Sequence, residues 1–320
     1  MRLRGIAALA AFGLPAAFSM AHASEITLGF VVTNHQNPAE VSMAEGFKRE
    51  GEKVGARVVI LDAKGSVEKM SNAVDDLIGQ KVNGIAVVAL DSVIAQTWVD
   101  KSNAANIPFT AIAVQVGDPG KRAFKDPYPG LSALVGRDNV LSGQRIAKLA
   151  ATMLPKDRRV KIGIVEGMPG YADVIQLSKG FKEGLDAAGV KYDIVVSQPT
   201  DWTPAKGEQV CQNALVAHPD IDLFYSHAED MAIGCAKAIA EYKSKALLVT
   251  AAGGSRLGIP LVKSGAITVS MCETWIDAGE LGAKSLYEAA TVPKTSKARL
   301  VEYEPPLITK ANADSCKPQW

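Results

Sequence analysis

Residues 33–40, TNHQNPAE, follow directly on the apolar run ITLGFVV. They gather Thr33, Asn34, His35, Gln36, Asn37 and Glu40 at what reads as one strand end. Comparable polar segments follow later apolar runs: LDSV (90–93), VQVGD (114–118), EGMPGYAD (166–173), SQPTDWT (197–203), SHAED (226–230), AAGGS (251–255) and CETW (272–275). Amides and carboxylates of this kind can satisfy hydroxyl groups, which both donate and accept, while aromatic faces cover apolar C–H surface. Two such edges facing each other would form a polar cleft with aromatic walls, the pattern of a small-molecule site. The catalytic alternatives find little support. There is no Gly-x-Ser-x-Gly elbow, no HExxH and no GxxxxGK[ST] phosphate loop. AAGGS lacks the GxGxxG spacing, and four scattered histidines suggest no metal triad. No enzyme, cofactor or metal is expected.

The elements that must position these segments alternate. Strands are expected at 26–32, 57–63, 84–90, 108–114 and 132–136, then at 161–167, 191–197, 221–227, 246–252 and 266–272. Between them lie helical patterns. The clearest is SVEKMSNAVDDLIGQ, where Val67, Met70, Val74, Leu77 and Ile78 share one face and Ser66 is placed to cap. Strands apolar on both faces and separated by helices imply parallel sheets covered on both sides. The pattern restarts near residue 137, so the fold expected is α/β with two Rossmann-like lobes. In such sheets ligands bind outside the carboxyl ends of the strands.

The first 23 residues carry Arg2 and Arg4, an apolar stretch broken by Gly13 and Pro15, and Ala21-His22-Ala23. That is the layout of a cleaved secretory signal, which places the mature chain in the periplasm. A chain of 320 residues with 48% hydrophobic and 22% charged residues is ordinary for a globular protein of two lobes. A net charge of +1 provides no basic face for nucleic acid. Cys211, Cys235, Cys272 and Cys316 show no CxxC spacing. Export permits the disulfides Cys211–Cys235 and Cys272–Cys316, and four buried thiols remain an equal alternative.

Several stretches resemble the type I periplasmic binding proteins that serve sugar ABC importers. These are Asn37-Pro38, ANIP (105–108), VGRDN with SGQ (135–144), KGF (179–181), SQPTDW (197–202), AHPDID (217–222) and EDMAIG (229–234). They occur in that family's order over nearly the whole mature chain. The resemblance, to ribose- and galactofuranose-binding proteins, implies two lobes joined by a three-strand hinge, crossed near Asp138, Glu273 and Tyr303. The first lobe would comprise 24–137 and about 273–302, the second 138–272 and about 303–320. It implies that Asn37, with Thr33 upstream and Asn34 in the same loop, contacts ligand, and that Trp202 covers it. It also implies a monomer that captures a sugar or polyol by hinge closure and docks on an ABC permease, with ATP hydrolysed by a partner.

This chain departs from the family in its pocket. Ala39 and Glu40 stand where aromatics follow Asn-Pro, Ala113-Val114 where Asp-Arg is usual, and Ile175 near the expected Arg. Ala228 replaces the Asn of Asn-Asp, Gly253 falls near the expected Asp, and Glu273 replaces a Gln. The usual pyranose clamp is largely absent. His35, Asp91, Gln115, Tyr171, His227, Glu229 and Glu273 are the expected replacements. Glu40 and Asp230 read equally as acids at helix starts, where the dipole favours them. A cationic ligand is the second reading, with Glu40, Glu229 and Glu273 offering charge and Tyr171, Trp202 and Trp275 offering cation–π walls. A sensory protein presenting its ligand to a chemoreceptor or kinase would use the same binding physics. A transcription regulator would need an N-terminal helix-turn-helix where the signal stands.

Overall fold

The computed structural model describes residues 25–292 and 298–320. The export signal read at 1–23 lies outside the described residues, as do residues 293–297.

The chain begins as the apolar pattern requires. It runs through β1 (Thr27–Val32), α1 (Pro38–Lys53), β2 (Arg57–Asp62), α2 (Val67–Gly79), β3 (Gly84–Val87), α3 (Ala95–Ala104), β4 (Phe109–Ile112) and β5 (Ala133–Gly136). All six residues of β1 are buried, because helices cover both faces of the sheet. Ser66 caps α2 by accepting from the Lys69 N–H, and Met70, Ala73, Val74 and Leu77 form the buried face of that helix.

The second run is α4 (Asn139–Ala151), β6 (Val160–Glu166), α5 (Ala172–Ala187), β7 (Tyr192–Pro199), α6 (Pro204–Ala217), β8 (Leu223–Ser226), α7 (Glu229–Glu241), β9 (Leu247–Thr250), α8 (Gly258–Ser264) and β10 (Ser270–Met271). The chain then makes α9 (Trp275–Thr291), β11 (Arg299–Glu302) and β12 (Leu307–Ile308).

Six strands form one parallel sheet in the order β11-β5-β4-β3-β1-β2, and four form a second in the order β7-β6-β8-β9. The short antiparallel pair β10–β12 joins the second lobe through a bridge between Val249 and Val269. The long strand expected at 266–272 is therefore only two residues of β10 plus that bridge. The chain passes between sheets after β5, after β10 and after β11, so residues far apart in sequence meet at three adjacent crossings.

Helix pairs pack closely where glycines face backbone. A Cβ on Gly143 would lie 2.6 Å from the Leu177 carbonyl, one on Gly279 2.0 Å from that of Met43, and one on Gly207 2.2 Å from that of Met231. The pairs α4–α5, α1–α9 and α6–α7 thus share one device. Both disulfides are formed, Cys211 to Cys235 between α6 and α7, and Cys272 to Cys316 between the second crossing and the tail.

Candidate ligand site between the lobes

The carboxyl ends of the two sheets face each other and touch. The Ser92 N–H donates to the Gly170 carbonyl at 3.1 Å, and the Ala172 N–H donates to Ser92 Oγ at 2.8 Å. Gln176 Nε2 donates to Gln115 Oε1 at 2.7 Å, and Gln115 Nε2 donates to the Arg122 carbonyl. Tyr171 leaves its own lobe to pack into the core of the other, edge-on to Trp202 with ring centroids 5.5 Å apart. Its hydroxyl reaches the Thr33 side chain.

Beneath the loop after β1 sits Glu40. Its carboxylate accepts from the N–H groups of Thr33 and Asn34 and from the Thr33 hydroxyl. Burial pushes its pKa up to about 7 against those hydrogen bonds. Asn37 caps α1 through its own Oδ1, which accepts from the Ala39 N–H. Asn34 Oδ1 accepts from the Gln36 N–H. His35 is exposed, and only its backbone N–H is engaged, to Asp62. Asp91 accepts from the Val93 and Ile94 N–H groups, which fixes the turn into α3 beside Gly170.

Trp202 lies over Gly167, where a Cβ would come within 1.8 Å of its ring, and packs against cores of both lobes. Its φ of +66° and that of Ala113, +63°, are left-handed at strand carboxyl ends. Each such residue costs on the order of 1–3 kcal/mol and clusters at ligand sites.

Two expected contacts are engaged in architecture. His227 is 1% exposed; Nδ1 accepts from the Gly167 N–H at 3.2 Å, which leaves the proton on Nε2 facing Ser178 Oγ. Burial lowers its pKa to about 3, so the ring is neutral. Glu229 is fully buried and accepts from the Gly254 and Ser255 N–H groups, holding the loop after β9. Its pKa is raised by burial. Asp230 beside it is pushed up to about 6 by burial and by Glu229.

The hinge carries the densest polar cluster. Arg137, at the first crossing, pairs through Nη1 with Glu273 Oε1 at the second and donates to the Ala251 carbonyl. Glu273 is fully buried and its Oε2 has no partner. Also unpartnered are Asn139 Oδ1, Asp173 Oδ1, Gln176 Oε1, Trp275 Nε1 and Tyr303 OH. Burial drives Glu273 up to about 7, with Arg137 pulling it back and Asp173 adding to the rise. Asp173 is raised to about 6, again by burial and against Arg137. Most buried polar atoms in native proteins are paired, so six orphans in one place make the hinge the candidate site for a polar ligand.

Of the residues expected from sequence, Thr33, Gln115, Tyr171, Trp202 and Glu273 fall along the surface where the lobes meet. Asn34, Asn37 and Asp91 border it with an oxygen already turned to backbone. Arg137, Asn139, Asp173, Gln176 and Tyr303 were not among the expected contacts. Arg137 and Asn139 stand in VGRDN, and Asp173 lies in EGMPGYAD, so position at a crossing or strand end was the available signal.

A hollow of about 930 Å³ lined by Ile78, Lys81, Pro108, Glu288 and Arg299 lies at the amino ends of β3 and β4, opposite the cleft. It is not where sheets of this kind bind ligand.

Two parallel-sheet lobes, crossed three times by the chain and meeting over buried polar groups, define a two-lobe solute-binding protein. The model described as periplasmic binding protein domain matches residues 28–294, and the chain belongs to that family. The Ribose import binding protein RbsB of Bacillus subtilis is 30% identical over 279 residues, covering 86% of each chain. Its Escherichia coli namesake is 27% identical over 300 residues, covering 93% of this chain and 95% of that one. Among solved structures, a galactofuranose binding protein superimposes with a TM-score of 0.79 at 21% identity, over 91% of this chain and 96% of the other. The Caulobacter myo-inositol binding protein does so with a TM-score of 0.81 at 19% identity, over 92% and 97%.

Proposed function

We propose that the protein is the solute-binding component of an ABC importer and captures a small sugar or polyol between its lobes. The observation that carries this is the hinge cluster, where six buried polar atoms from all three crossings and α5 lack partners. The resemblance to ribose import binding proteins supports the ligand class. The lobes, 24–137 with about 273–302 and 138–272 with about 303–320, would rotate about the three crossings. A ligand that touches both lobes binds the closed state better and shifts the population toward it. Thr33, Gln115, Tyr171 and Trp202 would line the cleft with the hinge groups, Trp202 covering the ligand's C–H face. The protein performs no chemistry itself. The closed form is handed as a monomer to a membrane permease, and residues 1–23 serve as a signal removed on export to the periplasm.

The test is a thermal-shift panel of pentoses, hexoses, furanoses and polyols on Ser24–Trp320. Saturation at a hundred times Kd adds about 2.7 kcal/mol, an easily read shift. A panel that produces shifts only among non-hydroxylated compounds would overturn the sugar reading.

A further inference from the structure

The unpartnered atoms at the hinge are unevenly divided between donors and acceptors. Asn139 Oδ1 and Gln176 Oε1 can only accept, as can Asp173 Oδ1 and Glu273 Oε2 when ionised. Against these four stand two donors, Trp275 Nε1 and Trp320 Nε1 on the tail beside it, and the Tyr303 hydroxyl, which can serve either way. Asn139, Gln176 and Glu273 are 2%, 3% and 0% exposed, so bulk solvent does not relieve them.

These groups belong to one place. Asn139 is two residues from Arg137 at the first crossing, Glu273 and Trp275 stand at the second, and Tyr303 stands at the third. Asp173 and Gln176 are three apart on α5 and share a face. Asp173, Glu273 and Tyr303 each feel Arg137 electrostatically, and the charge of Asp173 acts on both Glu273 and Tyr303.

Charge is uneven as well. Two carboxylates share the single guanidinium of Arg137, whose Nη1 is already committed to Glu273 Oε1 and the Ala251 carbonyl.

We infer that the ligand carries a protonated amine besides its hydroxyls, an amino sugar or amino polyol, with the ammonium held between Asp173 and Glu273. An ammonium offers three donors, no acceptor and a positive charge. It answers both imbalances together. A neutral hydroxyl answers only the first, and leaves the excess of negative charge where it is. The inference rests on the carbohydrate reading of the cleft and narrows it.

The experiment is calorimetry on the mature chain with matched trios: an aminodeoxy sugar or polyol, its hydroxyl parent, and its N-acetyl derivative, which keeps the nitrogen and loses the charge. At least one amine should bind tenfold or more tighter than both companions. In Asp173→Asn, checked for a cooperative melt, that preference should shrink below threefold. A neutral parent that binds as tightly as its amine overturns the amine and leaves the carrier reading standing. A preference that survives in Asp173→Asn overturns the placement of the ammonium. No binding by any polyhydroxylated probe overturns the carbohydrate reading itself.

Discussion

Buried glutamates do two different jobs in this molecule. Glu40 and Glu229 each lie in the first turn of a helix, one per lobe, and each spends its carboxylate on the N–H groups of a strand-end loop: Thr33 and Asn34 in the first case, Gly254 and Ser255 in the second. Glu273 is as deeply buried, but one oxygen answers Arg137 and the other answers nothing in the chain. A fully partnered carboxylate is architecture, whereas one with an orphaned oxygen in a polar cluster is poised for something that arrives. Burial and a raised pKa are common to both kinds, so neither property alone identifies a ligand contact.

Substitution should separate the two kinds. Glu229→Ala leaves two buried amides without acceptors, each costing about 1–3 kcal/mol, so a total loss of roughly 3 kcal/mol or more is expected in urea unfolding. Glu273→Gln keeps an oxygen for Arg137 and should change stability by no more than about 1 kcal/mol. Its cost should appear in calorimetry as at least a tenfold loss of ligand affinity. If Glu273→Gln proved the more destabilising of the two, the distinction would collapse.

Trp202 carries the next effect. The ring is half-buried, held over Gly167 in a left-handed conformation and wedged against both cores. Trp202→Ala should weaken ligand binding roughly tenfold to a hundredfold, the worth of about 1.5–3 kcal/mol of covered apolar surface, with the melt still cooperative. Unchanged affinity would remove Trp202 from the cleft wall.

The hinge acids also predict a pH response of the ligand-free protein. The Asp173 pKa is raised to about 6 in the fold, so the native state binds more protons than the unfolded chain between about pH 4 and 6. Its contribution to stability therefore falls as pH rises through that window. Asp173→Asn removes the cost of ionising there, and should stabilise the ligand-free protein at pH 7.5 by on the order of 1–3 kcal/mol and little at pH 4. His227 runs the other way. Its lowered pKa, about 3, means stability is lost as pH falls below about 6.5, the unfolded value. Melting temperatures of the wild type and Asp173→Asn across pH 4–8 separate the two contributions.

The parallel strands and their helices were legible because apolar runs of five to seven residues alternate with amphipathic stretches. β11 and β12 were not, since RLVE and LI are short and half-exposed and owe their pairing to β5 and β10, which lie far away in sequence. The site was legible only in part. Resemblance points to Trp202 and Glu273, and both lie where the lobes meet. His227 and Glu229 look like ligand contacts at strand ends, yet their partners are amides at 167 and 254–255 that no local pattern announces. Arg137, Asp173 and Tyr303 look ordinary singly. Their meaning comes from three crossings that bring positions 137, 273 and 303 together.

The smallest expected effect tests whether the C-terminal tail adds a further link between the lobes. The tail pinned by Cys272–Cys316 reaches both lobes. Trp320 accepts from the Arg256 N–H beside β9, while Gln319 accepts from the Ile276 N–H and donates to Asp277 on α9. Such bonds are worth about 0.5–1.5 kcal/mol each, so they can bias closure without deciding it. Removing Gln319 and Trp320 should weaken ligand binding by less than tenfold and enlarge the ligand-induced decrease in radius of gyration measured by small-angle scattering. The enlargement follows because the ligand-free chain would then spend more time open. Identical affinity and identical scattering would mean that the tail rides on one lobe and leaves the hinge to the three crossings alone.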